Sequence, residues 1–166
     1  QRQMCIRDSC EVLRFMRDYV SKHPEIKHIH ASGAIERDAA KELFDSYGLG
    51  KYPNLELCEY IYDMPLKMAA ADLVINRAGA ITLSELAFQG KPCVLIPSPN
   101  VTDNHQYKNA RELEEAGAAL LLQESELEGD VFTEAVSELV ENRERLASMS
   151  EAIRRFAVPD SADRIY

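Results

Sequence analysis

A chain of 166 residues, 46% hydrophobic and 28% charged, can bury about two-thirds of its unfolded surface, which excludes disorder and any need for disulfide staples. Nineteen Lys and Arg against 28 Asp and Glu give a net charge of −9, a surface that repels phosphate backbones and argues against nucleic-acid partners. No run reaches the roughly 20 apolar residues of a bilayer span.

The opening, Gln1-Arg2-Gln3-Met4, lacks an initiator methionine, and residues 1–9 show no clear period. They read as an irregular or foreign leader, with residues 10–166 as one domain. From Cys10 the pattern is regular. Val12, Leu13, Met16, Tyr19 and Val20 recur at helical spacing, and Pro24 ends that helix. Ile26 to Ser32 reads as a strand. Ile35, Ala39, Leu43 and Tyr47 give a second helix, stopped by Gly48 and Gly50. A strand follows from Leu55 to Ile61 and a short helix from Pro65 to Ala71. Leu73-Val74-Ile75 reads as a strand buried on both faces. A helix from about Thr82 to Gln89 ends at Gly90, and Cys93 to Ile96 is the next buried strand. A helix from Asn104 to Ala116, a strand from Ala118 to Leu122 and two helices from Asp130 to about Val158 complete the chain. The alternation predicts an α/β fold with a mostly parallel sheet covered by helices on both faces, folded as one unit.

In open α/β sheets, ligands sit beyond the carboxyl ends of the strands. Two loops stand there. The first, Asn76 to Glu85, places Gly79 where a ligand can approach the backbone, and the helix that follows offers free N–H groups to a phosphate or diphosphate. Glu85 could accept hydrogen bonds from sugar hydroxyls. Equally, Thr82-Leu83-Ser84-Glu85 fits a capping box, with Ile81 and Leu86 as its apolar staple. The second loop, Pro97 to Gln106, delivers Asp103, Asn104, His105 and Gln106 to another helix start. Their polar groups suit a polyhydroxyl ligand, while Asp103 and Gln106 also fit an N-cap and its partner.

Other chemistries find little support. Cys5, Cys10, Cys58 and Cys93 form no C-x-x-C pair and read as reduced thiols. His28 and His30 alternate on one strand face, more simply an exposed face than a metal site. No Asp-x-Asp pair suggests a carboxylate-held metal, and no G-x-S-x-G suggests a hydrolase. Neither a metal nor another cofactor is expected.

The stretch Ala71–Glu85, reading Ala-Asp-Leu-Val-Ile-Asn-Arg-Ala-Gly-Ala-Ile-Thr-Leu-Ser-Glu, is followed by Gly90-Lys91-Pro92, Ile96-Pro97-Ser98-Pro99, Asn104-His105-Gln106 and Ala116-Gly117-Ala118-Ala119. Over nearly the whole chain, from about Val12 to Ile165, this pattern resembles the donor-binding domain of MurG-type transferases. These enzymes add N-acetylglucosamine from UDP-N-acetylglucosamine to lipid I, giving lipid II for peptidoglycan. The resemblance implies the carboxyl-terminal half of a GT-B glycosyltransferase, metal-independent and inverting, peripheral to the cytoplasmic face of the bacterial inner membrane. It implies that Glu85 holds the ribose hydroxyls and that the backbone around Ile61 and Met64 reads the uracil edge. Gly79, Ala80, Ile81 and Thr82 would lie along the nucleotide and its diphosphate, with His105 and Gln106 at the sugar. The family's first strand, with its Gly-Gly-Ser loop, and its amino-terminal acceptor domain have no counterpart here. Met4-Cys5-Ile6 is the one apolar run available to replace that strand. The resemblance therefore implies a weakened sheet, no catalytic residue in this chain and no sugar transfer by it alone. The acceptor and the membrane contact would belong to the missing domain. A glycolipid synthase of the same architecture, or the donor subunit of a split transferase, fits the same residues.

Overall fold

A computed structural model describes residues 2–99, 104–127 and 129–157, with side chains described from Ser9 onward. These residues divide into two compact units, 1–63 with 127–137 and 64–126 with 138–166, where the sequence pattern suggests one.

In the first unit, α1 (Arg2–Asp18) leads through a 3-10 turn at Val20–Lys22 to β1 (His28–Ala31), α2 (Gly33–Ser46) and β2 (Leu55–Cys58). The helix begins at Arg2, so residues 2–9 are helical rather than irregular, and Met4-Cys5-Ile6 lies in that helix rather than in a strand. β1 and β2 pair in parallel, His28 opposite Leu55 and Ala31 opposite Cys58. Parallel pairing needs a crossover, which α2 supplies. The apolar stripe of α1 predicted from Val12, Leu13 and Met16 is buried together with Phe15 and Val20, and α1 packs on α2. The first turns of α6 (Val131–Glu141) add Phe132, whose ring meets Phe15 edge-on at 6.0 Å.

The connection from α1 to β1 is held by one side chain. Asn54, 8% exposed, directs its amide nitrogen at the carbonyls of Val20 (3.0 Å), His23 (3.2 Å) and Ile26 (2.9 Å). The amide carries only two hydrogens, so one of the three contacts is shared. Replacing Asn54 with Leu strands buried carbonyls and is expected to cost about 2–3 kcal/mol in urea unfolding; a loss below 0.5 kcal/mol would show that water takes over these bonds.

In the second unit, α3 (Met64–Ala70), β3 (Val74–Asn76), α4 (Ala80–Gln89), β4 (Cys93–Leu95), α5 (His105–Glu115) and β5 (Ala119–Leu121) alternate, and α7 (Arg143–Arg154) follows. The sheet order is β3-β4-β5, all parallel, with Ile75 opposite Val94 and Val94 opposite Leu120. Only the central strand β4 is fully buried; β3, expected to be buried on both faces, is an edge strand and half-exposed. Leu86, Ala87, Cys93, Leu95, Ala110, Leu113 and Ile153 form the core beneath the helices. Burial pushes the Cys93 thiol up to about 12, which keeps it protonated and inert. Asn142 caps α7, its side chain accepting from the Arg145 N–H at 2.9 Å. Gly90 ends α4 at φ +64°, a left-handed backbone conformation that favours glycine, and a Cβ there would press on the movable Arg154 guanidinium.

In a doubly wound 3-2-1-4-5-6 sheet, the first strand joins a 3-2 pair to a 4-5-6 trio. The described strands fall into those two sets, β2-β1 and β3-β4-β5, and no strand precedes β1 among the described residues. None of the described helices is long and apolar enough to cross a membrane.

Candidate functional site

The second unit assembles the candidate site where its parallel strands end. β3 runs into Arg77, Ala78 and Gly79, and α4 begins at Ala80, two residues earlier than the Thr82 start predicted. Gly79 is therefore the N-cap, at φ −73° and ψ 138°, and no side chain caps the helix. This corrects the capping-box reading. Thr82 lies inside the first turn, and Ser84 turns its hydroxyl back to the Ala80 carbonyl at 3.0 Å. Glu85 sits exposed in the second turn, and its carboxylate has no hydrogen bond or ion pair among the described residues.

Gly79 itself is informative. Its backbone angles suit any residue, and a Cβ built on it would meet nothing within 4 Å. Nothing inside the fold requires glycine there, in contrast to Gly90. The space above it adjoins the first N–H groups of α4, those of Ala80, Ile81 and Thr82, which no helical carbonyl can satisfy. Ala80 is exposed and Ile81 is 80% exposed, so this helix start opens to solvent.

The second loop stands at the same end of the adjacent strand. After β4 the chain passes Ile96 and Pro97 to Ser98, whose N–H donates to Gln106 Oε1 at 2.9 Å. The predicted cap at Asp103 lies outside the described residues. Instead Asn104 precedes α5 at φ +53°, with no side-chain cap, and Gln106 braces the loop. His105 is exposed at the start of α5. The Ile96 N–H donates to the Asn76 carbonyl at 3.0 Å, and the Arg77 guanidinium donates to the Ile96 carbonyl at 3.2 Å. A continuous chain of bonds thus links Gly79 through Arg77, Ile96 and Ser98 to Gln106. The structure brings together Gly79, Ala80, Ile81, Thr82, Glu85, His105 and Gln106 at one end of one sheet.

Ile61 and Met64 fall on either side of the division between units. Ile61 is half-buried three residues beyond β2, in the first unit, and Met64 opens α3 in the second. α3 is secured at its other end by Lys91, whose ammonium donates to the carbonyls of Ala69 (2.6 Å) and Ala71 (2.9 Å). A cation among the terminal carbonyls complements the helix dipole. Arg77 and Lys91 lie inside the quoted motifs, but the sequence pattern assigns neither a role. A signal existed for Lys91, a cation directly after the helix-ending Gly90; none existed for Arg77, whose partner lies 19 residues away. An open cavity of about 290 Å³ lies elsewhere, lined by Gly117, Ala119, Arg145 and Ser148 where β5 begins, the strand end opposite the candidate site.

His28 and His30 do not form an exposed face. Both are half-buried in β1, His28 edge-on to Phe15 at 5.8 Å, and His30 with its Nε2 3.3 Å from the Ser9 hydroxyl. Burial, with the nearby His30 charge, lowers His28 to about 3, and burial lowers His30 to about 4. Among the described residues no three His, Cys, Asp or Glu groups converge as metal ligands.

The profile of the glycosyltransferase family 28 C-terminal domain matches residues 9–165. The chain belongs to this family. The UDP-N-acetylglucosamine--N-acetylmuramyl-(pentapeptide) pyrophosphoryl-undecaprenol N-acetylglucosamine transferase of Acetivibrio thermocellus is 42% identical over 138 residues, covering 83% of this chain and 37% of that protein. The transferase of the same name from Lactococcus lactis subsp. cremoris MG1363 is 37% identical over 159 residues, 93% of this chain and 44% of that protein. The crystal structure of Acinetobacter baumannii MurG superposes with a TM-score of 0.72 at 28% identity, over 92% of this chain and 46% of that one. The chain thus spans less than half the length of these relatives. Its fold is the α/β architecture of GT-B transferases, parallel strands flanked by helices.

Proposed function

We propose that residues 10–166 form the UDP-N-acetylglucosamine-binding domain of a transferase that adds N-acetylglucosamine to lipid I, giving lipid II. The acceptor site and a peripheral contact with the cytoplasmic face of the inner membrane belong, in this reading, to an amino-terminal domain. One observation carries it: an uncapped helix start, a glycine that neither backbone angle nor packing requires and a carboxylate without a partner among the described residues occupy one strand end in a family-28 domain.

The diphosphate lies against Gly79 and the N–H groups of Ala80, Ile81 and Thr82, where fixed donors and the helix dipole meet its charge. Glu85 accepts from the ribose hydroxyls, five residues into the same helix, and the backbone at Met64, where α3 begins, reads the uracil edge. His105 and Gln106 meet the sugar. When the acceptor hydroxyl attacks C1 with inversion, the C1–O bond to UDP breaks and negative charge collects on the departing diphosphate. Donors already aimed at that position stabilise it without reorganising. The proton leaving the acceptor needs a base, which this reading assigns to the amino-terminal domain.

Calorimetric titration of the chain with UDP-N-acetylglucosamine tests the reading, with Gly79→Ala as its internal control. The substitution suits the Gly79 backbone, and because alanine is a poorer N-cap than glycine while it also stiffens the unfolded chain, stability is expected to fall by no more than about 1 kcal/mol. The added methyl occupies the space assigned to the diphosphate, so affinity is expected to fall about tenfold. No binding to the unaltered chain, or equal affinity in the variant, would overturn the assignment.

A further inference from the structure

We propose that Glu124 is a positioning residue for the donor loop, acting through Arg77; the ligand part of this inference rests on the function proposed above. Glu124 follows β5 in a 3-10 turn, Glu124–Glu126, at the same strand end as the candidate site. It is 6% exposed, and neither carboxylate oxygen has a hydrogen bond among the described residues. A buried, unbonded carboxylate is costly unless a counter-charge stands beside it. The Arg77 guanidinium stands there, with Nη1 3.7 Å from Glu124 Oε2.

The same Nη1 donates to the Ile96 carbonyl at 3.2 Å. Arg77 therefore connects all three loops that leave β3, β4 and β5: its own backbone belongs to the first, Ile96 to the second and Glu124 to the third. Two residues beyond Arg77 stands Gly79, the N-cap of α4, and eight beyond it stands Glu85. The position of the whole donor-facing turn follows from where this guanidinium is held. Charge matters as well as tethering, because Glu124 neutralises a cation next to an anion-binding helix start. If neutralisation alone mattered, removing the Glu124 charge would strengthen the binding of a diphosphate. If positioning dominates, removal weakens it.

The test uses Glu124→Gln and the charge-preserving Glu124→Asp. Two amides report the brace without any ligand: Leu83 N–H, bonded to the Gly79 carbonyl at 3.0 Å, and Ile96 N–H, bonded to the Asn76 carbonyl at 3.0 Å. In Glu124→Gln both are expected to exchange hydrogen about tenfold faster, and the dissociation constant for UDP-N-acetylglucosamine to rise about tenfold. Glu124→Asp should recover part of both losses, which a volume effect alone would not produce. If Glu124→Gln fails to fold, the double variant Arg77→Leu with Glu124→Leu removes both charges together and keeps the site apolar; it should fold and still bind the donor about tenfold more weakly. Unchanged exchange in a folded Glu124→Gln, tighter donor binding, or full affinity in the double variant would overturn the proposal. Faster exchange in a chain that never binds UDP-N-acetylglucosamine would leave the brace standing and remove the proposed function instead.

Discussion

Replacing Glu85 with Gln is expected to weaken UDP-N-acetylglucosamine binding about tenfold, and replacement with Ala about a hundredfold, with thermal unfolding nearly unchanged. The magnitudes follow from the bond proposed. A carboxylate accepting from hydroxyls makes charge-assisted hydrogen bonds worth about 1.5–3 kcal/mol, and a neutral amide retains part of that. The separation between affinity and stability follows from where α4 begins. With Gly79 as the N-cap, Glu85 has no reach-back to a capping N–H, and its exposed carboxylate holds nothing else among the described residues. Its loss therefore removes no internal bond. Calorimetry and a thermal melt on the same samples decide the matter. Unchanged affinity with a melting temperature several degrees lower would restore Glu85 to a structural role.

The point at which this helix starts also shows what a sequence can and cannot carry. Periodicity locates nearly every element, because an apolar stripe on α1, α2 or α5 follows directly from residue spacing. Local signals fail where two of them compete. Thr82-x-x-Glu85 has the letters of a capping box, yet the chain enters the helix at Ala80, since Gly79 already takes the N-cap geometry and Arg77 is fixed by contacts 19 and 47 residues downstream. Such long-range ties have no periodic trace. The same applies to Gln106: the spacing suits a cap, but its carbonyl is used by the Ser98 N–H across the loop. The loop chemistry is legible as residue types; the wiring that holds those types in place is not. The extent of the sheet is a third case. The apolar run at β3 reads as buried on both faces, yet its residues are only half-buried, and among the described residues β3 has a neighbour on one side only, β4.

The histidines of β1 make the largest prediction about stability. Alternation puts His28 and His30 on one face but does not say which, and the packing of Phe15 against His28 turns that face inward. Held in the fold at about 3 and about 4, the two rings stay neutral at pH values where the unfolded chain, with ordinary values near 6.5, binds protons. The direction follows: stability is full above about pH 6.5 and falls as the pH drops toward the folded values, because the unfolded state takes up protons that the folded state refuses. Between pH 6.5 and pH 5 each ring should cost roughly 2 kcal/mol. Most carboxylates are still ionised there, and the Asp18 carboxyl, lowered chiefly by its hydrogen bonds to Arg17, begins to contribute only at more acid pH. Urea unfolding followed by circular dichroism at pH 7 and pH 5 measures the loss. In His28→Phe, which keeps an aromatic ring edge-on to Phe15, about half of the pH dependence should disappear. A midpoint that moves as much in the variant as in the unaltered chain would mean that the His28 ring is charged, or open to water, in the folded state.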